Sequence, residues 1–191
     1  AGDPGATTTA CPCAARPRWA WSSSAAARDA ARVTHALLSL GSNVEPERYL
    51  RAAIAALRAR FGVVVVSPVY RVPAVGFDGP DFLNAAAVIE TDLDAHALVD
   101  WLHALEHENG RVRGAVKFND RTLDIDLVYF DGLVLDTPQL QLPRPELRHA
   151  FVLRPLADIA PDFVDPVRGT TLAAMWRAHP EHGAPLDTVA L

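Results

Sequence analysis

The stretch RTLDIDLVYF, Arg121 to Phe130, reads as a β-strand with one buried face. Residues two apart on a strand share a face at a spacing of roughly 7 Å, so Asp124 and Asp126 project together while Leu123, Ile125 and Leu127 take the other side. An apolar row packed on a core, with two acids opposite, calls for positive charge above the acids. Either basic side chains supply it or a divalent metal does. Arg111, Arg113, Lys117 and Arg121 lie just upstream. Mg²⁺ suits paired carboxylates because it keeps most of its waters and shares its remaining ligands with phosphates. The same basic groups would grip those phosphates. The plainer alternative, a solvated strand face carrying local salt bridges, stays open on these residues alone.

Outward from this strand, strands and helices alternate from Val33 onward. THALLSL (Thr34 to Leu40) predicts a strand, and GSN (Gly41 to Asn43) turns it into a helix opened by Pro46, a residue suited to the first helical turn. Leu50, Ile54, Leu57 and Phe61 recur on that helix at helical spacing, and Gly62 stops it. VVVVSPVYRV (Val63 to Val72) is a strand broken at Pro68. The Gly and Pro content of PAVGFDGPD (Pro73 to Asp81) predicts a mobile or ligand-covering loop. LNAAAVIET (Leu83 to Thr91) is a further strand. Asp94 to Asn109 is a helix with Leu98, Trp101, Leu102 and Leu105 on one side and Gly110 as its stop. Past the acidic strand, a turn at Asp131-Gly132 leads to a partner strand, Leu133 to Leu135. A proline-bearing connection then reaches two short helices, FVLRPLADIA and TTLAAMWRAH. This mixture, with a hairpin near Gly132, predicts an α+β fold: one sheet covered by helices in a single domain over residues 33–191.

Composition sets the outer limits. At 191 residues the chain is long enough to bury a core without staples, and 50% hydrophobic with 21% charged residues reads as globular. A net charge of −5 and a pI near 5.8 argue against nucleic acid or a membrane surface as the main partner. Basic clusters on an acidic chain point instead to a small anionic ligand. No apolar run approaches the roughly 18 residues of a membrane span. The two cysteines, Cys11 and Cys13, give neither a disulfide framework nor a four-ligand zinc set, so the expected compartment is a reducing cytoplasm. Residues 1–32, rich in Ala, Thr, Ser, Gly and Pro without an apolar period, are expected to form a disordered extension without the apolar core of a secretory signal.

Single residues carry weaker signals. Glu106 borders the apolar side of its helix, as either a surface group or a pocket acceptor for buried N–H groups, and its position favours the surface. Asn84 reads as a satisfied strand-end amide, and Phe82 and Phe151 read as core. The N–H groups of GSN either meet phosphate or simply cap a helix.

Taken together, LSLGSN (Leu38 to Asn43), SPVYRVPAVG (Ser67 to Gly76), DFLNAA (Asp81 to Ala86), LEHENGRVR (Leu105 to Arg113), RTLDIDL (Arg121 to Leu127) and FVLRPLADIAP (Phe151 to Pro161) closely resemble the 6-hydroxymethyl-7,8-dihydropterin pyrophosphokinase family of folate biosynthesis. The resemblance implies a ferredoxin-like α+β fold, a monomer, ATP as co-substrate, two Mg²⁺ ions, and transfer of pyrophosphate to the pterin's hydroxymethyl oxygen with release of AMP. By position, Asp124 and Asp126 match the metal-binding acids. Arg111, Arg113 and Arg121 match catalytic residues that grip triphosphate or move with the catalytic loop. The resemblance places Lys117, Arg144 and Arg148 beside Arg113 and Arg121 on the nucleotide. Asn84 matches the amide that recognises the pterin and Phe151 the ring that stacks on it, with Val75, Gly76 and Phe82 completing that side. Glu106 matches no chemical group, only the helix leading into the loop, and the loop from Val72 to Asp81 matches a lid. The chain departs from the family in KFNDRTLDID, where KWGPRTLDID is usual, and in Phe82 and Val72 for a common tyrosine and threonine. LPRPELRHAF is one residue short, with Arg144 in the place of a nucleotide-contacting histidine and the later arginine either Arg148 or lost to His149. The alternatives are a divergent pterin-binding paralogue with lost or altered activity, and a different ATP-dependent kinase on the same scaffold.

Overall fold

A computed structural model describes residues 33–74, 79–111 and 121–191. In chain order the elements are β1 (Thr34–Ser42), α1 (Pro46–Phe61), β2 (Val64–Val66), β3 (Val69–Val72), β4 (Phe82–Thr91), α2 (Ala95–Glu108), β5 (Asp124–Phe130), β6 (Leu135–Asp136), β7 (Gln141–Leu142), a 3-10 turn (Pro145–Arg148), α3 (Ala150–Ile159), α4 (Leu172–Arg177) and β8 (Asp187–Val189). Local signals account for most boundaries. Pro46 opens α1, and Gly62 ends it with φ 76°, a conformation that costs glycine little. Asp94 caps α2 by accepting the Ala97 N–H at 2.8 Å. Pro68 interrupts the strand into β2 and β3, both of which pair with β4.

The sheet runs β5-β1-β4-β3-β8 and every pairing is antiparallel. β4 lies between β1 and β3, and β1 lies between β4 and β5, so each helical crossover spans an intervening strand. That is the α+β sheet read from the sequence pattern, in the ferredoxin-like arrangement that the family resemblance implies. Period-two alternation then divides the apolar residues into two cores. Leu38, Leu40, Ala85, Ala87, Ile89, Ile125 and Leu127 pack with α1 and α2. Leu37, Ala86, Val88, Val128 and Tyr129 pack with α3 and α4. A bulge opposite Leu37 and Leu38 adds Val128 to β5, so that Val128 and Tyr129 both face α3 while Phe130 returns to the first core.

Two expectations need correction, and one strand was not foreseen. Gly41 and Ser42 do not turn the chain but stay in β1. Leu133 to Leu135 is not the partner of β5. The turn at Asp131, with φ 44°, is tied to β1 through the Asp131 N–H to His35 O at 2.8 Å and the His35 N–H to Asp131 Oδ1 at 3.0 Å. The chain therefore leaves the sheet, Leu133 and Val134 stand 37% and 53% exposed, and Leu135 pairs with Leu142 in the separate ribbon β6–β7. β8, a three-residue strand beside β3, had no readable pattern of its own.

Candidate active site

On the α3 side, at one end of the sheet, antiparallel register aligns Asp124 of β5, Gly41 of β1, Asn84 of β4 and Tyr70 of β3. Asp126, Ser39 and Ala86 form the next row inward. A Cβ on Gly41 would lie 3.1 Å from Asn84 Oδ1 and 4.0 Å from both the Asp124 Cβ and the Phe82 ring. Glycine thus keeps the floor low between acid and amide, which stand two strand spacings, about 10 Å, apart. A cavity of about 240 Å³ opens at the β5 edge, lined by Arg111, Asp124, Asp126, His103, Gln139 and Arg144 among others.

Charge is concentrated here. The Arg111 guanidinium bridges the carboxylates of Glu106 and Asp124, and Arg121 takes the other oxygen of Asp124. Arg144 Nη2 donates to Asp126 Oδ1 at 2.7 Å. Burial alone would lower the Arg111 pKa, but Asp124 and Glu106 reverse this and raise it. At Asp126, burial followed by the charge of Asp124 pushes the pKa up to about 6, against the pull of Arg144. Burial and the neighbouring acid thus work together against ionisation of Asp126.

Glu106 overturns the surface reading. It is 1% exposed, and Oε1 accepts the Ile125 N–H at 2.9 Å while its backbone carbonyl accepts the Arg111 N–H at 3.0 Å. One carboxylate so fixes both the start of β5 and the arginine facing Asp124. The readable signal was an acid on the border of an apolar helix face, followed by a stop glycine and an arginine. Gly110, at φ 82°, folds Arg111 back over Glu106.

The GSN segment is a clamp. Ser42 Oγ donates to Thr122 O at 2.5 Å, and the N–H groups of Asn43 and Val44 meet Arg121 O at 3.0 and 3.3 Å. Asn43 Oδ1 accepts the Arg121 N–H at 2.6 Å, and its Nδ2 reaches Pro80 O at 3.4 Å. Of the GSN N–H groups considered for a phosphate, that of Asn43 instead joins the Val44 N–H in holding the chain entering β5.

Arg111, Arg121, Arg144, Asp124 and Asp126 thus come together, with Asn84 and Phe82 across Gly41. Phe151 sits in the first turn of α3 with its ring stacked on His149, 5.0 Å between centroids and 10° between planes. Arg148 is exposed and donates from Nε to His149 Nε2 at 3.2 Å, so its contacts run to that ring rather than to the acid pair. Val75, Gly76, Arg113 and Lys117 lie outside the described residues. Among the described residues no cluster of three or more His, Cys, Asp or Glu could cage a metal. Two carboxylates beside an open cavity fit Mg²⁺ shared with phosphate oxygens rather than a closed protein site.

Fold and site together define a ferredoxin-like α+β protein with an acidic pair ringed by guanidinium groups. The profile of the 7,8-dihydro-6-hydroxymethylpterin-pyrophosphokinase family matches residues 37–161, and the chain belongs to this family. The 2-amino-4-hydroxy-6-hydroxymethyldihydropteridine pyrophosphokinase of Pseudomonas aeruginosa is 42% identical over 130 residues, 65% of this chain and 80% of that one. The Bacillus subtilis protein of the same name is 40% identical over 129 residues, 65% and 77% of the two chains. The solved Plasmodium falciparum HPPK-DHPS superimposes with a TM-score of 0.60 at 13% identity, covering 77% of this chain and 45% of that one, which shows the shared fold. Among the described residues no helix is long and apolar enough to cross a membrane.

Proposed function

We propose that the chain carries out its family's reaction, moving the β,γ-pyrophosphoryl group of ATP to the hydroxymethyl oxygen of 6-hydroxymethyl-7,8-dihydropterin. The pterin oxygen bonds to Pβ, the Pβ–O bond to the α-phosphate breaks, AMP departs with that oxygen, and the alcohol proton is released. The observation that carries this reading is the alignment of Asp124 and Asn84 on either side of Gly41, with three arginines on the acid pair. A flat ring can pass over the low floor from amide to acids.

Pyrophosphoryl transfer asks little covalent work of the protein, so alignment and preorganised positive charge dominate. Asp124 and Asp126 would hold Mg²⁺, two ions in this reading, which when bound neutralises phosphate charge and orients the alcohol. Arg111 and Arg121 present donors where negative charge builds on the oxygen leaving with AMP. Arg113, Lys117, Arg144 and Arg148 serve the nucleotide. Asn84 pairs with the polar edge of the pterin, while Phe82, Phe151, Val75 and Gly76 enclose its ring. Glu106 keeps Arg111 and β5 in register without touching substrate. Lids over the site exclude water, the competing acceptor. The protein acts as a monomer in the cytoplasm.

Incubation of the protein with ATP, Mg²⁺ and hydroxymethyldihydropterin tests this by product analysis. AMP and pterin diphosphate in equal amounts support it. ADP would make the chain a different kinase, and pterin affinity without nucleotide turnover would make it a binding module.

A further inference from the structure

Arg144 differs from the other two arginines on the acid pair. Arg111 is tied to Glu106 as well as to Asp124, whereas the carboxylate that Arg144 holds by hydrogen bond is Asp126, at 2.7 Å. Its backbone is fixed: the N–H donates to Val128 O at 3.2 Å, the dihedrals are extended (φ −65°, ψ 137°), and Pro143 and Pro145 flank it. Any change of partner must therefore be a rotation of the side chain. Donor capacity also remains unspent. Among the described residues, Arg144 Nε and Glu146 Oε2 are buried without a hydrogen bond, although 3.4 Å apart. A guanidinium carries five N–H donors in a planar fork that matches phosphate oxygens, and this one lines the cavity.

We infer that Arg144 is a built-in competitor for the divalent cation at Asp126. In the nucleotide-free protein its guanidinium occupies the carboxylate edge, so metal binds well only together with a triphosphate, whose oxygens draw Arg144 away. Two cations cannot share that edge without repulsion, and the phosphate offers the displaced guanidinium a bidentate partner. Metal and nucleotide thus enter as one positive and negative set. The inference rests on the reading of Asp124 and Asp126 as metal-binding acids.

Mn²⁺ binding to the full chain, measured by electron paramagnetic resonance of free Mn²⁺, tests it without turnover. Titrations are run with Mn²⁺ alone and with α,β-methylene-ATP, corrected for metal bound to free nucleotide. The wild-type protein is expected to bind Mn²⁺ at least about tenfold more weakly alone than with the analogue. Arg144→Gln is expected to tighten the metal-alone affinity about tenfold, equivalent to about 1.4 kcal/mol, and to weaken the analogue. Arg144→Lys, which keeps the charge, should retain the weak metal-alone binding. Equal Mn²⁺ affinity with and without the analogue, or a metal-alone affinity unchanged in a folded Arg144→Gln variant, would overturn the inference. If Asp126→Asn leaves Mn²⁺ binding in the presence of the analogue unchanged, the acid-pair reading itself fails, a separate result.

Discussion

Asp126 and Asp165 are both aspartates packed into protein beside an arginine, yet their surroundings drive them in opposite directions. Asp165, between α3 and α4, is 0% exposed and accepts the Val167 N–H at 2.8 Å, the Arg168 N–H at 2.7 Å, the Tyr129 hydroxyl at 2.8 Å and Arg168 Nη1 at 2.9 Å. Burial alone would raise its pKa, but the hydrogen bonds from Arg168, Tyr129 and Val167 outweigh it and hold the carboxyl below the ordinary range. Asp126 is 36% exposed toward a cavity and receives one guanidinium, so burial and Asp124 win and its pKa climbs to about 6. A charge whose acceptor sites are filled is structural. A charge left short of partners at an opening is prepared for a cation from outside.

Truncation should separate the two regions most sharply. Asp124→Ala is expected to lower kcat/KM by on the order of 10³, about 4 kcal/mol, with little change in Tm. Asp165→Ala should instead keep kcat/KM near wild type while losing roughly 3 kcal/mol of stability, read as a Tm drop on the order of 10 °C. Activity assays beside thermal melts check both, and a Tm collapse in Asp124→Ala would erase the distinction.

Glu106→Gln comes next in size. The amide oxygen still accepts the Ile125 N–H but no longer holds Arg111 as an ion pair, so kcat/KM should fall roughly ten- to hundredfold in a folded protein. Unchanged kinetics would reduce Glu106 to a purely structural acid.

Charge removal without loss of shape gives a smaller, signed effect. Because the folded pKa of Asp126 lies above its unfolded value, its ionisation opposes folding. The penalty is full above about pH 6 and absent below the unfolded pKa. Asp126→Asn in metal-free buffer should therefore raise Tm at pH 8, the gain fading as pH falls toward 4. Asp165 has the opposite sign: its stabilising contribution is present above its unfolded pKa and lost as pH falls through the folded value, so Asp165→Asn should lower Tm at pH 8.

The smallest effect is expected at His35, whose pKa is raised chiefly by its hydrogen bond to Asp131, against burial, with Glu90 adding to the rise. Its contribution is present below the unfolded histidine value and lost as pH rises through the folded one. Both partners are partly exposed, so Asp131→Asn should flatten the Tm profile between pH 6 and 8 only slightly.

What the sequence made legible was local. The period of two in Leu123 to Leu127 placed both acids on one face, and Pro46, Gly62 and Gly110 bounded their helices. Glu106 was misread because its burial depends on Gly110 reversing the chain and on β5 arriving from a distant segment, neither visible in a helical period. Leu133 to Leu135 looked like a strand because apolar composition says nothing of a turn anchored to His35. The closed cluster at Asp165 gave no signal, since Tyr129 reaches it from β5, far away in sequence. The family resemblance reached further, bringing Asn84 and Arg144 toward the site where pattern alone did not.

The central claim is that one sheet surface presents Asp124 and Asp126 to cations carrying a nucleotide's phosphates. Anomalous scattering from Mn²⁺ in crystals grown with α,β-methylene-ATP and hydroxymethyldihydropterin tests it most directly. The account predicts peaks against both carboxylates, with Arg144 turned from Asp126 onto phosphate. Nucleotide and manganese seated elsewhere, with Arg111 and Arg144 still paired to the two acids, would contradict it.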